Sequence, residues 1–257
     1  MRMATQDSSK KSPLVSIHGL IGSLSDPTIQ VPLAPRMVFA PELLGYGEFS
    51  DTNPSDITIS NQVEHVHRAI LQQFGAKPVH VLGHSVGGAI AALLIDRYPE
   101  QVVSFINAEG NFTLQDAFWS ARIAQLPSIE VAAMLNEFQT DPDTWLRNNG
   151  ISPTPDILER ATARLANQPA TTIQAMSRSV VALTGEEAYL KMLKHIFQTK
   201  PVHLLAGERT RNDWGIPNWA LKLAASDHTM PKVGHMMMLE DPLAFGKLLQ
   251  QILRESL

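Results

Sequence analysis

Val79-His80-Val81-Leu82-Gly83-His84-Ser85-Val86-Gly87-Gly88 is the stretch on which the fold turns. A β-branched apolar run enters a Gly-x-Ser-x-Gly pentapeptide, and an Ala/Leu/Ile-rich helical run leaves it. Strand, tight turn and helix in that order form the setting of a nucleophile elbow, in which the serine hydroxyl stands clear of a sheet. Gly83 and Gly87 answer a packing need, because side chains there would collide with the neighbouring strand and helix. Ser85 is expected to carry a strained backbone. The helix after it aims free N–H groups and a positive dipole end at any oxyanion forming nearby. The three fixed positions alone would recur by chance about once in ten chains of this length, so the flanks carry the inference. Against it stands a plain glycine-tolerant turn with a solvated serine.

Upstream, Leu14–Ile17 reads as a short strand ending at His18-Gly19-Leu20-Ile21-Gly22-Ser23. Met37–Ala40 is a second strand, followed by the turn-rich Pro41–Gly47. Apolar residues at Ile59, Val63, Val66, Ile70 and Phe74 make Thr58–Phe74 an amphipathic helix, with Gly75 as its terminator. Downstream of the elbow come a buried helix over Val86–Tyr98 and a fourth strand over Val102–Ile106. From 111 to 195 the pattern is helical, broken by Pro127, Pro142, Pro153, Pro155 and Pro169, with no convincing strand. Alternation resumes with strands at Pro201–Ala206 and His228–Val233, the latter at an edge because of Pro231. A final helix covers Asp241–Leu253.

Strands alternating with helices predict an α/β fold, a mostly parallel sheet with helices on both faces. The core is expected at 13–110 and 196–257, a helical insertion over the sheet at 111–195, and a disordered tail at 1–12. A length of 257 residues suits one large α/β domain or two small ones. A net charge of −4 leaves no electrostatic footprint for nucleic acid or an anionic membrane. Without cysteine there are no disulfides, thiolate nucleophiles or cysteine metal sites. Met1–Lys11 is polar and is followed by only a short apolar run, so neither a signal peptide nor a membrane span is read there. A soluble cytoplasmic protein is expected.

In parallel sheets the site lies beyond the carboxyl ends of the strands, where Ser85, His18-Gly19, Glu109 and the Gly207 loop all fall. A serine hydroxyl needs a base within hydrogen-bond reach, and the base needs an orienting partner. His235, in the loop between the last strand and the last helix, is the candidate base; His228, beside Asp227, is its rival. His80 and His203 lie within strands, where a satisfied structural role fits, and His65 and His67 sit on a solvated helix. Glu109, just after the fourth strand, is the candidate acid, with Glu208 and Asp213 after the fifth strand as alternatives. Backbone N–H groups of Val86 and Leu20 are the candidate oxyanion donors.

Together these residues resemble the α/β-hydrolase superfamily. The resemblance covers most of the chain: His18-Gly19 after a strand, Leu43-Leu44-Gly45-Tyr46-Gly47, the Ser85 elbow, and Gly234-His235 ahead of Asp241-Pro242. The order Ser85, Glu109, His235 agrees with the family's nucleophile, acid and base. The family's acid more often follows the fifth strand, where Thr210 stands here; the layout looks more like the subgroup typified by haloalkane dehalogenases. Dehalogenation itself is disfavoured, because the nucleophile is Ser85 rather than aspartate and Val86 stands where a halide-binding tryptophan would follow. Too few residues precede the first strand for the family's usual leading hairpin, so about six strands are expected.

The insertion looks like the family's cap, with His84, Phe112, Phe118, Trp119 and Met236 as candidate pocket residues. The resemblance implies a serine hydrolase acting on a small or medium apolar carboxylic ester or related acyl bond. It needs no metal or organic cofactor, and its partner is a small-molecule substrate, without nucleic acid or membrane; a homodimer is compatible. Two further readings stay open: a hydrolase-like ligand sensor with little turnover, and an acyltransferase or thioesterase.

Overall fold

Side chains alternate between the two faces of each strand, so a sheet apolar on both faces gathers a helix layer on each side. The computed structural model describes residues 11–255; all but the last two residues of the expected tail lie outside the described residues. Six strands, β1 (Leu14–Ile17), β2 (Val38–Phe39), β3 (Val79–His84), β4 (Val102–Ala108), β5 (Val202–Gly207) and β6 (Ser226–Met230), form one sheet ordered β2-β1-β3-β4-β5-β6. Every neighbouring pair is parallel, as expected where helical crossovers join the strands. The helices are α1 (Pro27–Gln30), α2 (Ile59–Phe74), α3 (Val86–Arg97), α4 (Phe118–Gln125), α5 (Ser128–Thr140), α6 (Pro142–Asn148), α7 (Pro155–Ala166), α8 (Ala170–Thr184), α9 (Glu187–Thr199), α10 (Asn218–Leu223), α11 (Met237–Glu240) and α12 (Pro242–Glu255). Among the described residues no helix is long and apolar enough to cross a membrane.

Val15, Val81, Phe105 and Leu204 pack on one face of the sheet, with α2, α3 and α9. Leu14, Leu82, Ile106 and Leu205 pack on the other, with α1 and α12. Burial on both faces is why the central strands read as near-continuous apolar runs. The Thr58 hydroxyl accepts from the N–H of Asn61 to start α2, and Gly75, at φ 61°, ends it.

The chain steps outward from β1 to β2 and then returns across β1 to β3. This reversal leaves a crevice at the carboxyl ends of β1 and β3, the ends that carry His18-Gly19-Leu20 and Ser85. Gly87 permits that proximity: a Cβ there would run into the carbonyls of Ile17 and His18. Gly87→Ala is expected to destabilise the protein by about 2 kcal/mol through overpacking, a fall in Tm of roughly 4–8 °C. Thermal unfolding checks this, and an unchanged Tm would show that the β1–α3 contact relaxes freely.

Two expected boundaries move. The last strand begins at Ser226 and ends at Met230. Pro231 offers no N–H to the ladder, and Lys232 turns away at φ 67°. The expected insertion boundary at 195 falls inside α9. Tyr189, Leu193, Ile196 and Phe197 of α9 share one core with α3 and β5, and α9 packs against α3, α8 and α10. The helices α4 to α8 precede it, with α8 packed against α4, α5 and α2.

Candidate active site

Ser85 sits between the last residue of β3 and the first of α3 with φ 54° and ψ −124°. An L-residue there costs about 1–3 kcal/mol, and the surroundings hold it in place. Its N–H donates to the Ala108 carbonyl at 3.1 Å, and its carbonyl accepts from the Gly88 N–H at 2.8 Å. The turn after β1 presses against it: a Cβ on Gly19 would lie 3.0 Å from the Ser85 Cβ. The Val86 N–H opens α3 and has no acceptor within the helix.

Leu20 is aimed by its neighbours. Burial above all, with Arg164 adding to it, pushes His18 down to about pKa 4 against the hydrogen bond to Gly19, so the ring is neutral. Its Nδ1 lies 2.8 Å from the Gly19 carbonyl. A carbonyl only accepts, so Nδ1 carries the hydrogen. That bond fixes the peptide plane between Gly19 and Leu20, and a trans peptide then points the Leu20 N–H the opposite way. The Tyr46 hydroxyl donates to the Leu20 carbonyl at 2.9 Å, and its ring meets His18 edge-on at 4.6 Å.

His235 projects from the loop after β6, and that loop is fastened on several sides. The Arg209 guanidinium spans both oxygens of Glu240 at 2.9 and 3.0 Å, and Glu240 also accepts the Gly234 N–H at 2.8 Å. The Lys232 N–H donates to Glu208 at 2.7 Å. His84 contributes from the elbow itself: its Nε2 donates to the His235 carbonyl at 3.0 Å, and the two rings lie 4.6 Å apart. Burial and, next, the neighbouring His235 push His84 down to about pKa 3, so it stays neutral.

The His235 Nδ1 donates to Glu109 Oε2 at 2.6 Å. A carboxylate only accepts, so the neutral imidazole keeps its hydrogen on Nδ1 and leaves Nε2 as a free base. His235 is 43% exposed at its side chain and Glu109 only 5%: the base opens outward while the acid is enclosed. Glu109 itself adopts φ 46°. Its second oxygen accepts the Gly207 N–H at 2.8 Å and the Thr210 hydroxyl at 2.6 Å. Burial alone would raise this carboxyl. The bond and charge of His235, then Thr210 and Gly207, outweigh it and hold Glu109 below its ordinary range.

The rivals stand elsewhere. The His228 Nε2 lies 2.7 Å from the Ser226 hydroxyl and 3.6 Å from Glu255. Glu208 is taken by Lys232, and Asp213 is exposed. Pocket expectations need correction at two aromatics. Phe112 is fully buried among Phe197, Trp214 and Trp219, so it is core. Phe118 is 74% exposed, with its ring in solvent. Trp119 packs half-buried on the core, and Met236 packs on the cluster of Trp145, Leu165 and Leu239. His84 serves the His235 loop as described. Sequence reasoning missed the donor role of Thr210, the grip of His18 on Gly19 and the Arg209–Glu240 clamp. The one signal in the sequence is a hydroxyl at Thr210, in the loop where the family more often carries its acid.

The model of the alpha/beta hydrolase family matches residues 14–247. The chain belongs to the alpha/beta hydrolase family. Among relatives, this hydrolase is similar to Lipase 1 of Psychrobacter immobilis, 33% identical over 127 residues, which cover 48% of this chain and 37% of the lipase. The chain thus matches well under half the length of that relative. Among solved structures it resembles a thermophilic esterase from Thermogutta terrifontis, with TM-score 0.73 and 17% identity over 95% of this chain and 90% of the other. A haloalkane dehalogenase variant from Bradyrhizobium elkanii gives TM-score 0.72 and 18% identity over 96% and 91%. At such identities the two structures speak for the hydrolase fold alone.

Proposed function

We propose that this alpha/beta hydrolase cleaves small-to-medium apolar carboxylic esters through Ser85, His235 and Glu109. The observation that carries the reading is the 2.6 Å bond from His235 Nδ1 to a buried Glu109. That bond fixes the tautomer a general base requires and compensates the imidazolium that forms when the base takes a proton. The likeness to a lipase supports an ester as the substrate.

In this mechanism the Ser85 Oγ attacks the ester carbon while its proton passes to His235 Nε2. The carbonyl oxygen becomes an oxyanion facing the N–H groups of Val86 and Leu20. The imidazolium returns the proton to the leaving alkoxide as the C–O bond breaks, leaving an acyl group on Ser85. Water then attacks the acyl carbon as one of its protons passes to His235, and His235 returns that proton to the Ser85 Oγ as the acyl C–O bond breaks, releasing the acid and the free serine.

A fluorophosphonate probe tests this whatever the natural ester is. It is expected to label the protein at one site, mapped by mass spectrometry to the peptide containing Ser85, and to block hydrolysis of a short-chain aryl ester. Label elsewhere, or none, overturns the reading.

A further inference from the structure

We propose that Thr210 is the positioning residue of the site: its hydroxyl holds the Glu109 carboxylate in register with His235. This rests on the serine-hydrolase reading above and adds a residue to it. The two oxygens of Glu109 divide their work. Oε2 receives His235, and Oε1 receives Thr210 at 2.6 Å and the Gly207 N–H at 2.8 Å. The sheet register makes this possible, because Ala108 of β4 pairs with Leu205 of β5. The residue after β4 therefore stands beside the turn after β5.

The Thr210 hydroxyl has one hydrogen and two acceptors in view, Glu109 at 2.6 Å and the Gly207 carbonyl at 3.4 Å. The charged, closer acceptor takes it. β-Branching restricts the rotation of that hydroxyl about χ1. A glutamate side chain has three rotatable bonds, and here both ends of its carboxylate are pinned. The turn after β5 thus supplies a donor to an acid carried by the neighbouring strand.

The groups facing the pair form a steady background. His84 lies against the His235 ring, within electrostatic reach of Glu109, and stays neutral because burial holds its pKa near 3. Arg209 approaches Gly234 but is paired with Glu240, and Glu208 accepts from Lys232. A donor on Glu109 favours the state in which its negative charge is uncompensated, that is, with His235 neutral. Removing the donor therefore favours the protonated pair, and activity is lost at a higher pH. The midpoint of that loss belongs to the pair as a unit.

The test is the rate of fluorophosphonate labelling against pH for the intact wild type, Thr210→Val and Thr210→Ser. Valine keeps the shape and removes the hydroxyl. Thr210→Val is expected to label about tenfold more slowly at pH 7 and to move the acid limb up by roughly half to one pH unit. Thr210→Ser is expected to restore both. A valine profile that superimposes on the wild type overturns the role. So does a uniform slowing with an unmoved limb, or a serine variant that rescues nothing, since either would make Thr210 a packing residue. Wild-type protein that takes no label at Ser85 overturns the serine-hydrolase reading, and the role of Thr210 falls with it; a labelled wild type with an unchanged valine variant overturns Thr210 alone.

Discussion

Ser85→Ala is expected to lower kcat for an aryl ester by roughly 10^6-fold, and Glu109→Gln by about 10^4-fold, with the fold intact in both. Alanine keeps the Cβ, so it neither adds to nor relieves the strain at φ 54°. It removes only the hydroxyl. The glutamine case follows from the fixed donors around residue 109. Gly207 N–H and Thr210 Oγ both point at one oxygen of the side chain. A glutamine would turn its carbonyl oxygen to them and its NH2 toward His235. The imidazole Nδ1 would then have to accept, the hydrogen would move to Nε2, and no lone pair would remain to take the serine proton. The charge that compensates the imidazolium is lost in the same substitution. Kinetics on both variants, with circular dichroism to confirm folding, check this. Wild-type turnover in Glu109→Gln would reassign the acid to the loop after β5, to Glu208 or Asp213.

The elbow turn and the strand ends around it were legible in the sequence for reasons particular to them. Val79-His80-Val81-Leu82 is mostly apolar and runs into Gly83, and a strand buried on both sides leaves that trace. Glu109 follows β4 directly and His235 lies in the loop after β6, and a parallel sheet brings such positions to one edge. The start of β6 was hidden because Ser226-Asp227-His228 is polar and half-exposed at an edge; the apolar pattern that reveals a central strand does not apply there. Phe112 and Phe118 were indistinguishable by composition. Periodicity shows that a segment is amphipathic but not which neighbour its apolar face meets, and one ring went to the core and the other to solvent. Thr210 was illegible as a donor because a loop threonine has many acceptors within reach, and its partner lies 101 residues away.

Between pH 7 and pH 5 the Tm is expected to fall by at least about 10 °C, well above the range in which ordinary carboxylates titrate. His18 and His80 are held near pKa 4 and His84 near 3, with burial the largest cause in each. An unfolded histidine titrates near 6.5. Since each folded value lies below the unfolded one, the unfolded chain binds more protons as pH drops. The stability is complete above about pH 6.5 and declines as pH falls toward the folded values. Each group contributes up to about 1.4 kcal/mol per pH unit in that window. Three of them acting together reach a large share of a typical total of about 5–15 kcal/mol. Glu109 is shifted downward, so its contribution is lost only at lower pH. Thermal melts at closely spaced pH values check the slope, and His80→Gln is expected to flatten it by up to about a third, since His65, His67 and His203, lowered by burial as well, share in it. A Tm constant from pH 7 to pH 5 would show that these rings reach water before the fold opens. Activity separates the two acid effects. Loss that returns at once on a jump to pH 8 reports the His235–Glu109 pair, whereas loss that returns on the timescale of refolding reports protonation of the buried histidines.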